Sequence, residues 1–372
     1  MHVLVFLTFG ISFLDWDKSG LLSREILLYR KLREEKKIDF TFVTFGDSKD
    51  EEIVKDFKVI PYYKYNKILR SKVLTFFQSL LFSYKIKKIA YKPDLIKTNQ
   101  LMGSWMGIVC KIIYSCPLIV RTGYDIFQFS IHEKKSTYKK LIYFLLTQLG
   151  LLFSDAYTVS SQSDKIFLNK YFIKTGNISI LPNWVITNLS DNTATANPEK
   201  EKTILSVGRL ENQKNFSYLI ESFANSEYQL DIVGEGSKKA ELILLSKKLL
   251  TNVDFLGTVD NKELLNLYKK YKYFILASNY EGNSKTILEA KSAGCIVIAR
   301  ENTNNQEIIE NQVDGILYNN ESLVDLIDNL EKEKELAKII SSNAIENVKK
   351  KNSIDLILEK EYKIYKKVLG NN

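Results

Sequence analysis

Short runs of apolar residues alternate with longer segments of helical periodicity from the first residues onward. Positions 3–8, 40–45, 94–98, 118–121, 156–159 and 178–181 read as strands, each nearly all apolar. Strands without polar alternation are covered on both faces, and helix-length spacers between them imply parallel order, so the pattern predicts an α/β sheet. The alternation stops at 190–202, which holds no large apolar residue and carries Pro198, as a linker does. It resumes with strands expected at 203–207, 229–233, 253–256, 273–277 and 296–299. Two doubly wound parallel-sheet domains are therefore expected, 1–186 and 187–353. A last amphipathic helix within 354–372 has an apolar face that suits either domain. Sheets that face each other would place their carboxyl ends, where α/β proteins bind ligands, along one cleft.

Composition sharpens this picture. A chain of 372 residues with 45% apolar content exceeds what one core serves, since single cores stop growing near about 250–300 residues. Cys110, Cys116 and Cys295 are an odd set without metal-ligand spacing, and His2 and His132 are the two histidines, so disulfide and zinc frameworks are not expected. The apolar beginning lacks the basic segment and small-residue cleavage site of a signal peptide, and a reducing cytoplasm fits. The most lipid-like run, 141–153, falls short of the roughly 20 residues that cross a bilayer.

Charge is unevenly shared. Residues 1–186 carry 28 Lys+Arg against 16 Asp+Glu, and the remainder 25 against 28. No acidic residue occurs between Asp56 and Asp94, where Lys67, Arg70, Lys72, Lys85, Lys87, Lys88 and Lys92 surround an apolar, aromatic stretch. Residues 67–92 thus suit an anionic membrane surface, such as the inner face of the cytoplasmic membrane; the same stripe also suits a helix facing the core. Neither a stacking module nor a recognition motif ties the charge to nucleic acid, which is not expected as a partner.

The candidate chemistry gathers after the expected strand at 273–277. Asn279-Tyr280-Glu281-Gly282-Asn283-Ser284-Lys285-Thr286-Ile287-Leu288-Glu289 leads from a turn into a helix. Asn283 or Ser284 serves as N-cap, and the amides that follow, with the helix dipole, favour an anion such as phosphate. Glu289 lies roughly 7 Å along the axis from Ser284 and leans back toward that end. Glu281 reaches the other side, where a sugar on the phosphate would lie. Arg209 and Lys214, in the turn after 203–207, are placed to neutralise a diphosphate. Gly234 and Gly236 follow another strand and allow close backbone approach.

The segments VGRLENQKN, IVGEGSKKAEL, FLGTV and EGNSKTILEAKSAGCIVIA, in this order, resemble the donor domain of family-4 retaining glycosyltransferases with the GT-B fold. KPDLIKTNQ, PLIVRTGYD, SDAYTVSSQSDK and ISILPNWVITN resemble more loosely that fold's acceptor domain. The resemblance implies a nucleotide-diphosphate sugar as donor substrate, no cofactor, and a glycan or lipid-linked glycan acceptor. It assigns Arg209 and Lys214 to the diphosphate, Glu289 to the ribose and Glu281 to the transferred sugar. Gly208, Gly234, Gly236, Gly282, Asn283, Ser284, Lys285 and Thr286 would surround the donor, and the final helix would return to the N-terminal domain. Glu307 matches a loop glutamate of the family.

On the acceptor side, Gly20 stands alone where the family has a glycine pair, in a long loop expected over 9–22. Asp125 suits either an acceptor-orienting carboxylate or a turn cap. Asp15-Trp16-Asp17 mimics a D-x-D metal motif, but the cations already supply the charge, and no required metal is expected. The reading is a retaining, metal-independent glycosyltransferase of surface polysaccharide or lipopolysaccharide synthesis. A nucleotide-sugar epimerase or hydrolase, and a scaffold that binds donor without turnover, are the alternatives.

Overall fold

The computed structural model describes residues 1–187 and 200–370. The chain divides into two units, Met1–Leu181 with Leu358–Asn372, and Pro182–Ile357. The passage to the second unit thus falls at Pro182, ahead of the boundary at 187 expected from composition. Of the expected linker 190–202, residues 190–199 lie outside the described residues; Lys200 to Lys202 already belong to a strand.

The first unit holds seven parallel strands in the order β3-β2-β1-β4-β5-β6-β7. These are β1 His2–Phe6, β2 Asp39–Thr44, β3 Lys58–Pro61, β4 Leu95–Thr98, β5 Leu118–Arg121, β6 Ala156–Val159 and β7 Ile178–Ile180. The second holds six, β10-β9-β8-β11-β12-β13. They are β8 Lys200–Val207, β9 Gln229–Val233, β10 Val253–Gly257, β11 Tyr271–Leu276, β12 Ile296–Arg300 and β13 Ile316–Tyr318. Each sheet reverses direction beside its first strand, the doubly wound order that collects ligand sites at carboxyl ends. The strands read from the sequence are present. β3 and β13, edge strands of four and three residues, were not among the strands read.

Period-two burial explains the continuous apolar strands of the second sheet. Ile204, Ile232, Ile275 and Ile298 enter the core on one face, and Leu205, Val233, Phe274 and Val297 the core on the other. Both faces are covered by helices, so neither parity can be polar.

In the first unit the helix Lys72–Ile89 inverts the usual pattern. Val73, Leu74, Phe77 and Leu81 face solvent, while Thr75, Ser79, Phe82, Ser83 and Ile86 are buried. The buried hydroxyls are satisfied locally: Thr75 Oγ1 donates to Ser71 O at 3.0 Å, and Ser79 Oγ to Phe76 O at 2.6 Å. Small side chains there let Ser104–Tyr114 approach closely, with Trp105 Nε1 donating to Ser79 Oγ at 2.9 Å. Of the apolar stretch read from the sequence, Phe82 is therefore core and Val73, Leu74, Phe77 and Leu81 are not. No helix among the described residues is long and apolar enough to cross a membrane.

The final helix, Ile354–Val368, begins in the second unit and belongs to the first from Leu358 onward. Its Glu361 forms an ion pair with Lys97 of β4, both side chains nearly inaccessible, and accepts from Tyr365 Oη. Burial pushes the Glu361 carboxyl up, but Lys97 and Tyr365 outweigh it and hold the group below its ordinary value. A buried pair is costly to break singly, which fixes this helix to the first sheet.

Candidate functional site

Three loops at the carboxyl end of the second sheet are tied together by their backbones. After β8, Gly208 N donates to Val233 O at 3.0 Å and Leu210 N to Glu235 O at 2.9 Å, so the loops after β8 and β9 run side by side. A Cβ on Gly234 would lie 1.9 Å from Gly208 O, and one on Gly236 2.4 Å from Leu210 O. Gly234 also has a φ of +141°, which other residues rarely adopt. The G-x-G spacing read as ligand approach is thus required by loop-to-loop contact. Glu211 reinforces it by accepting from Ser237 N at 2.9 Å and Oγ at 2.8 Å, bonds that lower its pKa.

The loop after β8 is also clasped to the loop after β11, its neighbour in the sheet. Asn279 N donates to Gln213 O at 2.9 Å, and Gln213 Nε2 to Tyr280 O at 3.0 Å. This clasp sets Lys214 Nζ 2.5 Å from Glu281 Oε1, an ion pair whose side chains are 13% and 7% exposed. The Lys214 stem passes over Gly208, whose absent Cβ would sit 3.2 Å from it. Lys214 and Glu281, read separately as diphosphate and sugar groups, are partners. Arg209 is exposed and makes no side-chain hydrogen bond or ion pair among the described residues.

The helix Lys285–Ser292 starts at Ser284, whose backbone is extended and whose side chain makes no cap bond; its Oγ lies 3.1 Å from Thr286 Oγ1. The first turn therefore carries no side-chain cap, and its dipole favours negative charge. Gly282 is buried in the turn before it. Asn283 turns aside: its Oδ1 accepts from Asn183 N at 3.0 Å and its carbonyl from Asn183 Nδ2 at 2.5 Å. Lys285 Nζ sits 5.9 Å from the centre of the Trp184 ring. Asn183 and Trp184 open the second unit, and nothing in the motif signalled their contact.

Glu289 is 2% exposed. Its carboxylate accepts from Asn261 Nδ2 at 3.3 Å and Tyr268 Oη at 3.5 Å, both long bonds from buried residues. Most glutamates on short helices face water, and this one does not. Glu307 is exposed on Thr303–Ile308, a helix capped by Asn302 Oδ1, which accepts from Asn305 N at 2.9 Å.

The first unit treats its candidates differently. The stretch expected as a loop over 9–22 contains the helix Phe13–Lys18, started by a capping box of Ser12 and Asp15. Asp15 Oδ2 accepts from Ser12 N at 2.8 Å, and Trp16 is buried, so the D-x-D look-alike is a helix start. Gly20, at φ +68°, donates to Asp17 O and turns the chain out of that helix. Asp125 is fully buried as the N-cap of Ile126–His132, with Oδ1 accepting from Gln128 N at 2.7 Å. Burial pushes its carboxyl up to about 7, against the opposing hydrogen bonds. The capping use of Asp125 is the one the geometry displays.

Residues 190–347 match the family described as glycosyl transferases group 1. A relative in Campylobacter jejuni is 28% identical over 231 residues, 60% of each chain. Its name is GalNAc-alpha-(1->4)-GalNAc-alpha-(1->3)-diNAcBac-PP-undecaprenol alpha-1,4-N-acetyl-D-galactosaminyltransferase. An Escherichia coli relative, the UDP-Gal:alpha-D-GlcNAc-diphosphoundecaprenol alpha-1,3-galactosyltransferase, is 27% identical over 64% of this chain and 66% of its own. The alignments thus span about three fifths to two thirds of these relatives. Among solved structures, Anabaena HepE in complex with UDP and glucose gives a TM-score of 0.77 at 17% identity, covering 99% of this chain and 100% of that one. The fold is the GT-B fold of glycosyltransferases.

Proposed function

We propose, since residues 190–347 match the family described as glycosyl transferases group 1, that the chain moves a sugar from a nucleotide-diphosphate donor to a lipid-linked glycan, with retention of anomeric configuration. The observation that carries the reading is the clasp of the loops after β8 and β11. It places an exposed, unpaired Arg209 and the Lys214–Glu281 pair at the sheet end that also carries the uncapped start of Lys285–Ser292.

Cleavage of the bond between anomeric carbon and phosphate leaves charge on the diphosphate. Arg209, Lys214 and the first-turn amides would stabilise that charge as it develops. Glu281 holds Lys214 in place and lies beside the sugar, and Glu289 would exchange its long bonds to Asn261 and Tyr268 for ribose hydroxyls. Charge compensation by these groups makes the reaction metal-independent in this reading. The lipid-linked acceptor draws support from the undecaprenol-diphosphate substrates in the names of both relatives, and the basic 67–92 segment fits a protein peripheral on the cytoplasmic face of the membrane.

A panel of nucleotide sugars screened by thermal shift tests the reading, since a ligand of the folded state raises apparent stability by about 2.7 kcal/mol at a hundred times its Kd. One nucleotide should stabilise the wild type, and Arg209→Ala should lose most of that shift. Equal shifts in both proteins would refute the placement. Product analysis with donor alone separates transfer from hydrolysis or epimerisation, and EDTA should leave transfer unchanged.

A further inference from the structure

We propose that the first unit docks on an anionic bilayer through two helices at once, Lys72–Ile89 and Thr137–Phe153. This deepens the membrane part of the function proposed above and rests on it for the choice of a bilayer.

The crossovers β3 to β4, β4 to β5 and β5 to β6 all step in the same direction across the sheet. Right-handed crossovers therefore set their helices on the same face. Ser104–Tyr114 lies between the other two and packs against both. Helices that return a parallel strand start at the carboxyl end of the sheet, so both proposed docking helices begin there.

On Thr137–Phe153 the exposed residues Tyr138, Leu141, Ile142, Leu145 and Leu149 follow one helical face, with Leu141 at 54%. The face toward the protein is already filled by Thr147, Gly150 and Leu151. On Lys72–Ile89, Phe77 is 57% exposed while hydroxyl side chains are buried beneath it. Exposed apolar residues scattered singly need no explanation, but two ordered stripes on one face mark a surface that something covers.

Charge decides what covers it. Neither helix contains an acidic residue, and cations stand at the beginnings of both, Arg70 and Lys72 on one and Lys134, Lys139 and Lys140 on the other, with Lys85, Lys87 and Lys88 near the end of the first. Positive charge at a helix N-terminus opposes the dipole, so helix stability does not account for it. A second copy seated on this face would set lysines against lysines. An anionic lipid surface meets both features, taking the apolar side chains into its boundary and the cations at its phosphates.

Flotation with vesicles of phosphatidylcholine and phosphatidylglycerol, free of any glycan lipid, reads docking apart from acceptor recognition. Leu141→Glu/Leu145→Glu should raise the lipid needed for half-binding about tenfold or more, and Leu74→Glu/Phe77→Glu likewise. Lys139→Glu/Lys140→Glu should weaken binding at low salt, with a difference that shrinks as salt rises. All three should keep the wild-type melting temperature and nucleotide shift. Wild-type binding by the two Thr137–Phe153 variants would overturn the proposal, as would equal wild-type binding to vesicles without phosphatidylglycerol. A wild-type dimer that Leu141→Glu/Leu145→Glu turns into monomer, with vesicle binding unchanged, would assign the face to a second copy instead. Because no acceptor is present, loss of transfer with intact flotation would count against the acceptor and not against the surface.

Discussion

The carboxyl end of the second sheet is held by charge pairs and touching backbones, and that of the first by helix caps and aromatic rings. In the second, Lys214 meets Glu281 and the loops after β8 and β9 approach so closely that two glycines are required. In the first, the Phe9 ring lies 4.8 Å from Phe45 and 5.1 Å from Trp105, which lies 5.0 Å from Phe76. Its carboxylates Asp15 and Asp125 are spent on helix starts. A reaction that discharges a diphosphate needs fixed positive groups, and the second sheet supplies them. Under the proposed function, the difference would give bond-breaking to the second unit.

The largest expected effect lies on the charged side. Lys214→Ala would remove the proposed diphosphate contact and strand buried Glu281, so kcat should fall on the order of a thousandfold, and Arg209→Ala by about a hundredfold with little change in stability. Steady-state kinetics beside thermal melts read both; an Arg209→Ala enzyme with wild-type kcat would dissolve the contrast. Next is the buried pair of the first unit. Lys97→Ala should cost about 3–5 kcal/mol by leaving Glu361 uncompensated, and Lys97→Met/Glu361→Leu should recover much of it. Denaturant titration measures this, while nucleotide binding by the surviving folded fraction should be unchanged.

The smallest effect concerns Asp125, whose folded pKa of about 7 stands above the ordinary aspartate value of 3.8. Between those values the folded state keeps a proton that the unfolded state releases, so this group's stabilisation is full below pH 4 and is lost as pH rises through 7. Asp125→Asn keeps a capping side chain without that titration. Its stability relative to wild type should therefore rise across that window, as melts at pH 5 and pH 8 would show. A constant difference would mean that Asp125 does not titrate there.

Apolar continuity made the parallel strands legible, because a strand covered on both faces has no polar positions to break its run. The start of the helix Lys285–Ser292 was legible too, since Gly-Asn-Ser before a helical pattern is a local signal.

What the sequence by itself determined was the α/β class, the break between two sheets and the residues able to carry charge at the second one. Only the tertiary structure decided that Lys214 and Glu281 are partners, that Gly234 exists for a neighbouring loop, and that Val73, Leu74 and Phe77 point away from the core. Periodicity tells that a helix has an apolar face but not which way it is turned. Pairing across 67 positions depends on which strands become neighbours. Both are settled by packing, whose energies act between residues that the chain order keeps apart.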